Sequence, residues 1–255
     1  MPEFPRSAGG IPVVSFDSVG STNAEALGRA HAGEAGPLWI VAERQTAGRG
    51  RRGRVWVSEP GNVYASLLLT NAAPPAEIAG ICFVAALALH DALLDTVHGL
   101  APAQLQLKWP NDVLLDGRKL AGILVEGSSY EGGPTTTIIG FGVNCRHHPA
   151  QAEYPSTSLA DAGFSVGAHE VLAALGVAMT RRLAEWDSGA NFAAVRAAWL
   201  VRASGLGGDI RVRLNDRTLE GRFEALDSSG ALVLACSDGT RETVTAGDVF
   251  PLTNG

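Results

Sequence analysis

The sequence predicts an α+β protein, a mixed β-sheet domain with packed helices followed by a small β-barrel. Up to about residue 204, strand-like and helix-like stretches follow one another in no regular β-α alternation, which places that part in the α+β class. From Asp209 onward the chain changes character, to short β-rich runs separated by polar turns, the pattern of a small barrel. At 255 residues and 46% hydrophobic content the chain is long and apolar enough to bury a real core.

Met1 to Gly10 lacks the basic-then-apolar layout of a signal peptide, so residues 1–11 read as a flexible tail. Val13–Phe16 reads as a strand. Thr22-Asn-Ala-Glu25 has capping-box spacing and starts a helix running to about Ala32. Leu38–Glu43 and Val63–Thr70 are strands, with an arginine-rich loop between them. Pro74-Pro75 is placed to begin a long helix whose stripe is Ile78, Ile81, Cys82, Ala85, Leu89 and Leu93. Its uncharged stretch, Ile78 to Leu89, falls short of the ~20 residues of a membrane span, so it is a buried helix.

Leu105–Trp109 alternates and stops at Pro110-Asn-Asp112. Val113–Leu115 and Leu120–Val125 flank Asp116-Gly117, a strong hairpin signal. Thr135–Gly142 is another β-rich run, and Pro149–Asp161 reads as loop. Two amphipathic helices follow at about 169–186 and 190–203. Gly205-Leu-Gly-Gly208 is a linker, so 12–204 forms the main domain and 205–255 the barrel. The barrel strands are 210–214, 219–226, 231–236 and 241–245. A unit of roughly 45 residues is near the lower limit for independent stability and should pack on its neighbour.

The formal charge of −6 argues against a general nucleic-acid binder, which needs excess Lys and Arg. Cys82, Cys145 and Cys236 are odd in number and far apart, so neither a disulfide framework nor a CxxC metal site is indicated, and a reducing cytoplasm fits. The pair His147-His148 has no Cys or His at ligand spacing and is set aside. Gly48-Arg-Gly-Arg-Arg-Gly53 matches the G-x-G-x-x-G expression of dinucleotide-binding turns. The residues after it, Val55-Trp-Val, favour extension, and Pro60-Gly61 then turns the chain, so the required helix is missing. No Walker A motif and no G-x-S-x-G elbow is present.

Arg49, Arg51, Arg52 and Arg54 repel one another unless an anion joins them. With three glycines among them, the loop is expected to be mobile when empty and to fold over a phosphate ligand that supplies the counter-charge. Arg54 and Trp56, two apart, face the same way in extended chain. Lys108, at a strand end before a proline-fixed turn, is a second cationic element, with Asn111 and Asp112 close by. Lys119 adds another lysine, Gly122 allows close backbone approach or marks a bulge, and Gly140-Phe-Gly-Val-Asn144 ends its strand as a ligand floor or a turn.

These stretches together resemble the biotin-protein ligases. The matching segments are Ser21-Thr22-Asn23, Gln45 to Trp56, Lys108 to Asp112, Arg118 to Glu126, Gly140 to Asn144 and Thr157-Ser-Leu159, in order and at sensible spacing. The resemblance implies an SH3-like identity for the C-terminal barrel and a two-step reaction. Biotin and ATP form biotinyl-5′-AMP and pyrophosphate, then a lysine of a biotin carboxyl carrier protein or biotin-accepting carboxylase domain takes the biotinyl group. Lys108 and Arg51 match the catalytic positions. Ser21, Thr22, Asn23, Gln45, Gly48, Arg49, Gly50, Arg51, Lys108 and Gly122 match the biotin side. Arg51, Arg54, Trp56, Lys108, Asn111 and Asn144 match the adenylate side. Mg²⁺ is expected with ATP, its ligands unassigned.

Some family members carry an N-terminal helix-turn-helix of about 60 residues, whereas here about 12 precede the first strand, so no DNA binding is expected. No membrane partner is expected either, and a homodimer is left open. The rival readings are lipoate-protein ligase, an arginine-glycine RNA-binding module and a non-catalytic store for the adenylate. The arginine loop with Lys108-Trp-Pro-Asn-Asp112 speaks against the first, acidity against the second and intact Lys108 against the third.

Overall fold

The computed structural model describes residues 4–128, 135–149 and 154–252. Eight strands build the main sheet: β1 (Ser7–Ala8), β2 (Ile11–Phe16), β3 (Leu38–Ala42), β4 (Val63–Thr70), β5 (Leu105–Lys108), β6 (Asp112–Leu115), β7 (Arg118–Ser128) and β8 (Thr136–Val143). Their spatial order is β1-β2-β3-β4-β8-β7-β6-β5. β2 and β3 are parallel, linked by helix α1 (Thr22–His31), and the other neighbours are antiparallel, so the sheet is mixed as expected.

Side chains alternate across these strands, and the two faces meet different partners. Trp39, Val41, Ala65, Leu67, Ile123, Ile139, Phe141 and Val143 join the main core under α2 (Ile81–Thr96), α3 (Ala168–Trp186) and α4 (Phe192–Leu200). Leu38, Ile40, Leu68 and Ile138 face the other way, onto Ala26 of α1. Along β4, β7 and β8 that second face continues through Ser66, Gly122, Gly140 and Gly142. Small residues there leave a hollow between the sheet, the start of α1 and the arginine loop.

The second sheet is antiparallel, in the order β12-β11-β10-β9-β13, from β9 (Asp209–Arg213), β10 (Thr218–Leu226), β11 (Leu232–Cys236), β12 (Arg241–Val244) and β13 (Asp248–Pro251). Its inner residues, among them Val212, Phe223, Leu234 and Val249, belong to the same core as the main sheet. Trp109 fixes the join by donating its Nε1–H to Gly230 O at 3.1 Å. Gly230, at φ 87°, has no room for a side chain, since a Cβ would lie 2.7 Å from the Phe83 ring.

Several local expectations change. Of the segment read as a tail, the described residues 4–11 are anchored: Gly9 and Gly10, both at positive φ, turn the chain so that β1 pairs with β2. Phe4 stacks on His169 at 4.3 Å. Pro74-Pro75 does not open the long helix. Residues 74–80 make successive tight turns, Glu77 N–H to Pro74 O and Gly80 N–H to Glu77 O, ending in a 3₁₀ turn (Ile78–Gly80) from which α2 begins. Ser21 caps α1, its Oγ accepting from Ala24 N–H at 3.5 Å, because the Thr22 side chain is buried and engaged elsewhere. β13 carried no strand signal, being short and stopped by Pro251.

α3 packs against β1 at Gly176, where a Cβ would come within 2.5 Å of Ala8. Gly176→Ala should therefore cost about 1–3 kcal/mol by overpacking, read as a lowered urea midpoint with unchanged slope. A stabilised variant would show that β1 is not seated against α3.

Candidate active site

The hollow is a cavity of about 440 Å³ between the main sheet, the arginine loop and β13. All the residues matched to the catalytic, biotin and adenylate positions line it except Gly48, whereas Arg52 of the arginine cluster does not. Gly48 lies behind the wall, where its carbonyl accepts from Trp56 N–H at 2.9 Å and a Cβ would meet Trp56 O at 2.6 Å. His147 and His148 are not among the lining residues, and His148 Nε2 rests 2.6 Å from Asp161.

One end of the cavity is lined by the neutral polar side chains of Ser21, Thr22, Asn23 and Gln45. Gln45 Oε1 accepts from Thr22 N–H at 2.9 Å and from the Thr22 hydroxyl at 3.2 Å, and Gln45 Nε2 donates to Ser58 Oγ at 3.0 Å. Ser66 Oγ lies 2.8 Å from Thr22 Oγ1 and 2.6 Å from Asn23 Oδ1. Asn23 Nδ2 donates to Glu126 at 2.7 Å and to Leu124 O. The amides are thus held at fixed orientations, and Gly140 must be glycine because a Cβ there would sit 2.3 Å from Asn23 Oδ1. Ser66 and Glu126 were not singled out as site residues. Their positions on β4 and β7 give them this face by alternation.

The middle is the Trp56 indole laid over the glycine floor. A Cβ on Gly142 would fall 2.5 Å from the ring, and one on Gly122 3.1 Å from it. Trp56 Nε1 is buried without a hydrogen-bond partner among the described residues.

The other end is cationic. Lys108 Nζ is 3.1 Å from Asp112 Oδ2, donates to Val249 O at 3.3 Å and lies 4.1 Å from the Tyr154 ring centroid. Lys119 Nζ pairs with the other Asp112 oxygen and stands 5.5 Å from the Trp56 ring centre. Burial works to raise the Asp112 carboxyl, but Lys119 and Lys108 outweigh it and hold the group below its ordinary range. Arg51 donates to Asn111 Oδ1 at 3.0 Å and to Gly247 O at 3.3 Å, while Asn111 Nδ2 donates to Ile123 O at 2.6 Å. Burial lowers the Arg51 pKa from its ordinary value, against the pull of Asp248, and a guanidinium so far above neutrality stays charged. Asn144 is buried, its Nδ2 donating to Thr157 O at 3.1 Å.

The arginine loop is folded rather than open. Arg49 and Val55 form an antiparallel bridge around a tight turn at Arg51–Gly53, and extended chain follows, as the failed dinucleotide reading requires. Counter-charge comes from the protein, not only from a ligand as expected. Arg49 lies 3.6 Å from Glu126, Arg52 is 3.0 Å from Asp248, and Arg54 pairs with Asp248 as well. Asp248 and Phe250 were invisible in the sequence because they lie nearly two hundred residues downstream, in a strand without a signal of its own.

The profile of the Biotin/lipoate A/B protein ligase family matches residues 16–144, and that of the Biotin protein ligase C terminal domain matches residues 205–250. The chain is 43% identical over 239 residues to a biotin--[acetyl-CoA-carboxylase] ligase of Paracoccus denitrificans, covering 90% of this chain and 96% of the relative. Among solved structures, biotin protein ligase from Aquifex aeolicus in complex with biotin and ATP superposes with a TM-score of 0.77 at 24% identity, over 93% of this chain and 97% of the other. The Leishmania major biotin protein ligase in complex with biotinyl-5-AMP gives 0.65 at 26% identity, over 92% and 98%.

Asp112 ties two lysines from a buried position, so Asp112→Asn should lower stability by about 3 kcal/mol near neutral pH. Because the folded-state pKa is depressed, the carboxylate's contribution is complete above its ordinary pKa and is lost as pH falls below it. The gap between native and variant, measured by urea titration at stepped pH, should therefore narrow below about pH 4. A gap constant down to strong acid would refute the pairing.

Proposed function

The chain belongs to the biotin/lipoate A/B protein ligase family, and from that premise we propose that it is an ATP-dependent biotin-protein ligase acting on a biotin-carrying carboxylase subunit. The carrying observation is one cavity with a neutral hydrogen-bonding end and a cationic end, bridged by an aromatic ring on a glycine floor. Biotin has the matching layout, with a polar ureido head, an apolar body and a carboxylate tail. Lipoate would leave the buried amides and hydroxyls of the first end with a ring that offers no N–H or C=O, an expensive mismatch.

In the first step a carboxylate oxygen of biotin attacks the α-phosphorus, the bond to the β-phosphate breaks and pyrophosphate leaves. Both reactants are anions, so the contribution expected of the protein is positioned positive charge. Arg51, Lys108 and Lys119 supply it. Lys108 is saturated by Asp112, Val249 O and the Tyr154 face, with a side chain 9% exposed, and Lys119, at 26%, is the more open to ligand. We therefore assign direct contact with the reacting carboxylate to Lys119 as well as to Lys108. Ser21, Thr22, Asn23 and Gln45 hold the ureido head, with Arg49, Gly50 and Gly122 along the biotin and Gly48 behind them. Arg54, Trp56, Asn111 and Asn144 serve the adenylate.

In the second step an uncharged acceptor lysine amine attacks the acyl carbon, the bond to AMP breaks, and the amine sheds a proton as the amide forms. Mg²⁺ would enter as the partner of the ATP phosphates. The cavity carboxylates are committed to lysines and arginines, and the described residues hold no group of three or more His, Cys, Asp or Glu able to bind a metal. We take residues 12–204 as the catalytic unit and 205–255 as the C-terminal unit. Cytoplasmic location is part of the same proposal, supported by the free thiols Cys82, Cys145 and Cys236. The stretch Ile78–Thr96 is long and apolar enough to cross a membrane but is 72% buried inside the fold.

ATP-pyrophosphate exchange tests the reading: it should depend on biotin and not on lipoate. Lys108→Ala and Lys119→Ala should each slow exchange by about 100-fold while biotin affinity changes far less. If Lys119→Ala alone does so, the catalytic assignment passes from Lys108 to Lys119. Arg51→Gly should shorten the lifetime of bound biotinyl-AMP, seen as labelling of bystander lysines, and unchanged retention would remove that role.

A further inference from the structure

We propose that β13 of the C-terminal sheet is the clasp of the active site, with Asp248 as a positioning residue that holds the arginine loop shut. The retention half of this proposal rests on the ligase reading above; the closure half does not.

Successive residues of the strand and its approach each take hold of a cationic group. Gly247 O accepts from Arg51 at 3.3 Å, Asp248 takes Arg52 and Arg54, and Val249 O accepts from Lys108 at 3.3 Å. Phe250 lies 6.0 Å from the Lys108 ammonium and 5.1 Å from the Arg213 guanidinium, which in turn reaches Asp248 at 3.6 Å. A carboxylate only 11% exposed needs such partners.

A second, independent observation lies in the loop backbone. Arg52 sits at φ 56° and ψ 31°, the left-handed region that costs a side-chain-bearing residue about 1–2 kcal/mol, and it occupies the middle of the turn. The turn has hydrogen bonds of its own, Gly50 N–H to Arg54 O at 2.7 Å and Arg54 N–H to Arg51 O at 3.3 Å, and from outside the loop Asp248 fastens the Arg52 side chain at 3.0 Å. The loop is therefore a strained segment fastened by ion pairs to another sheet. Undoing the pairs lets the strain and the repulsion among Arg49, Arg51, Arg52 and Arg54 act together to open it. Closure buries the cavity under the loop; opening exposes whatever the cavity holds.

Amide hydrogen exchange over residues 48–57 in the ligand-free full chain tests closure without any reaction. Asp248→Asn should speed exchange there by on the order of fivefold at low salt, while α2 and β4 keep their protection. Native protein should approach the same rate as salt is raised, the variant should respond little, and Asp248→Glu should restore most of the protection. Arg54→Gln gives a second route to the same loss, with Asp248 and its surroundings intact. Unchanged exchange in both Asp248→Asn and Arg54→Gln would overturn the clasp and leave the ligase reading standing. If closure behaves as described, Asp248→Asn should also release biotinyl-AMP faster while shifting biotin affinity less, and Asp248→Glu should recover retention. Equal losses in both quantities would overturn the positioning role, whereas native protein inert in biotin-dependent exchange would remove the ligase reading and its retention half alone.

Discussion

Everything at this site depends on holding concentrated positive charge in place without cancelling it. Charges brought together in a half-buried cavity repel more strongly than in water, so the arrangement needs carboxylates nearby. They come from remote strands: Glu126 of β7 for Arg49, Asp112 of β6 for Lys108 and Lys119, Asp248 of β13 for Arg52 and Arg54. Arg51 is treated differently. Its hydrogen-bond partners are neutral acceptors, Asn111 Oδ1 and Gly247 O, which fix its direction, and the carboxylates Asp248 and Asp112 act on it only through their field. Compensation holds the scaffold, and the uncompensated remainder faces the cavity.

The apolar side of the design follows from strand alternation. One set of positions on β4, β7 and β8 fills the core with Leu67, Ile123, Ile139 and Phe141, and the set between them offers Ser66, Gly122, Gly140 and Gly142. The same strands therefore build a packed interior on one side and an empty floor on the other. The glycines are needed for clearance rather than for flexibility. At Gly140 and Gly142 the space of a side chain is already taken by Asn23 and Trp56.

Much of this was legible in the sequence because it is local. The hairpin of β6 and β7 announces itself by Asp116-Gly117, and the Arg-Gly loop fails the dinucleotide test through the β-branched residues after it. Motif residues from Ser21 to Asn144 converge because the strands that bear them, or that lead into the loops and the helix start bearing them, belong to one sheet. What stayed hidden depends on distance along the chain. Asp248 and Phe250 belong to a four-residue strand whose meaning lies in Arg52, Arg54 and Lys108, and Tyr154 comes from a loop. Ser21 displaced Thr22 as the helix cap because Ser66 and Gln45 had claimed the Thr22 hydroxyl, a contest that spacing cannot register.

The two half-reactions make opposite demands on the cover of the cavity. Activation needs water kept from a mixed anhydride, whereas transfer needs an amine from another protein to reach the acyl carbon. A cover fastened by core packing would serve the first and obstruct the second, since burying an apolar side chain commits about 1.5–3 kcal/mol. Ion pairs at partly exposed arginines are weaker and are exchanged against water with little rearrangement. The cations we propose to act on the reacting atoms are seated otherwise, Lys108 buried on Asp112 and an aromatic face, Arg51 on an asparagine fixed by the β7 backbone. Rigid charge for the chemistry and lightly held charge for the door are thus drawn from one sequence run and its neighbours, and a strand from the second sheet touches both.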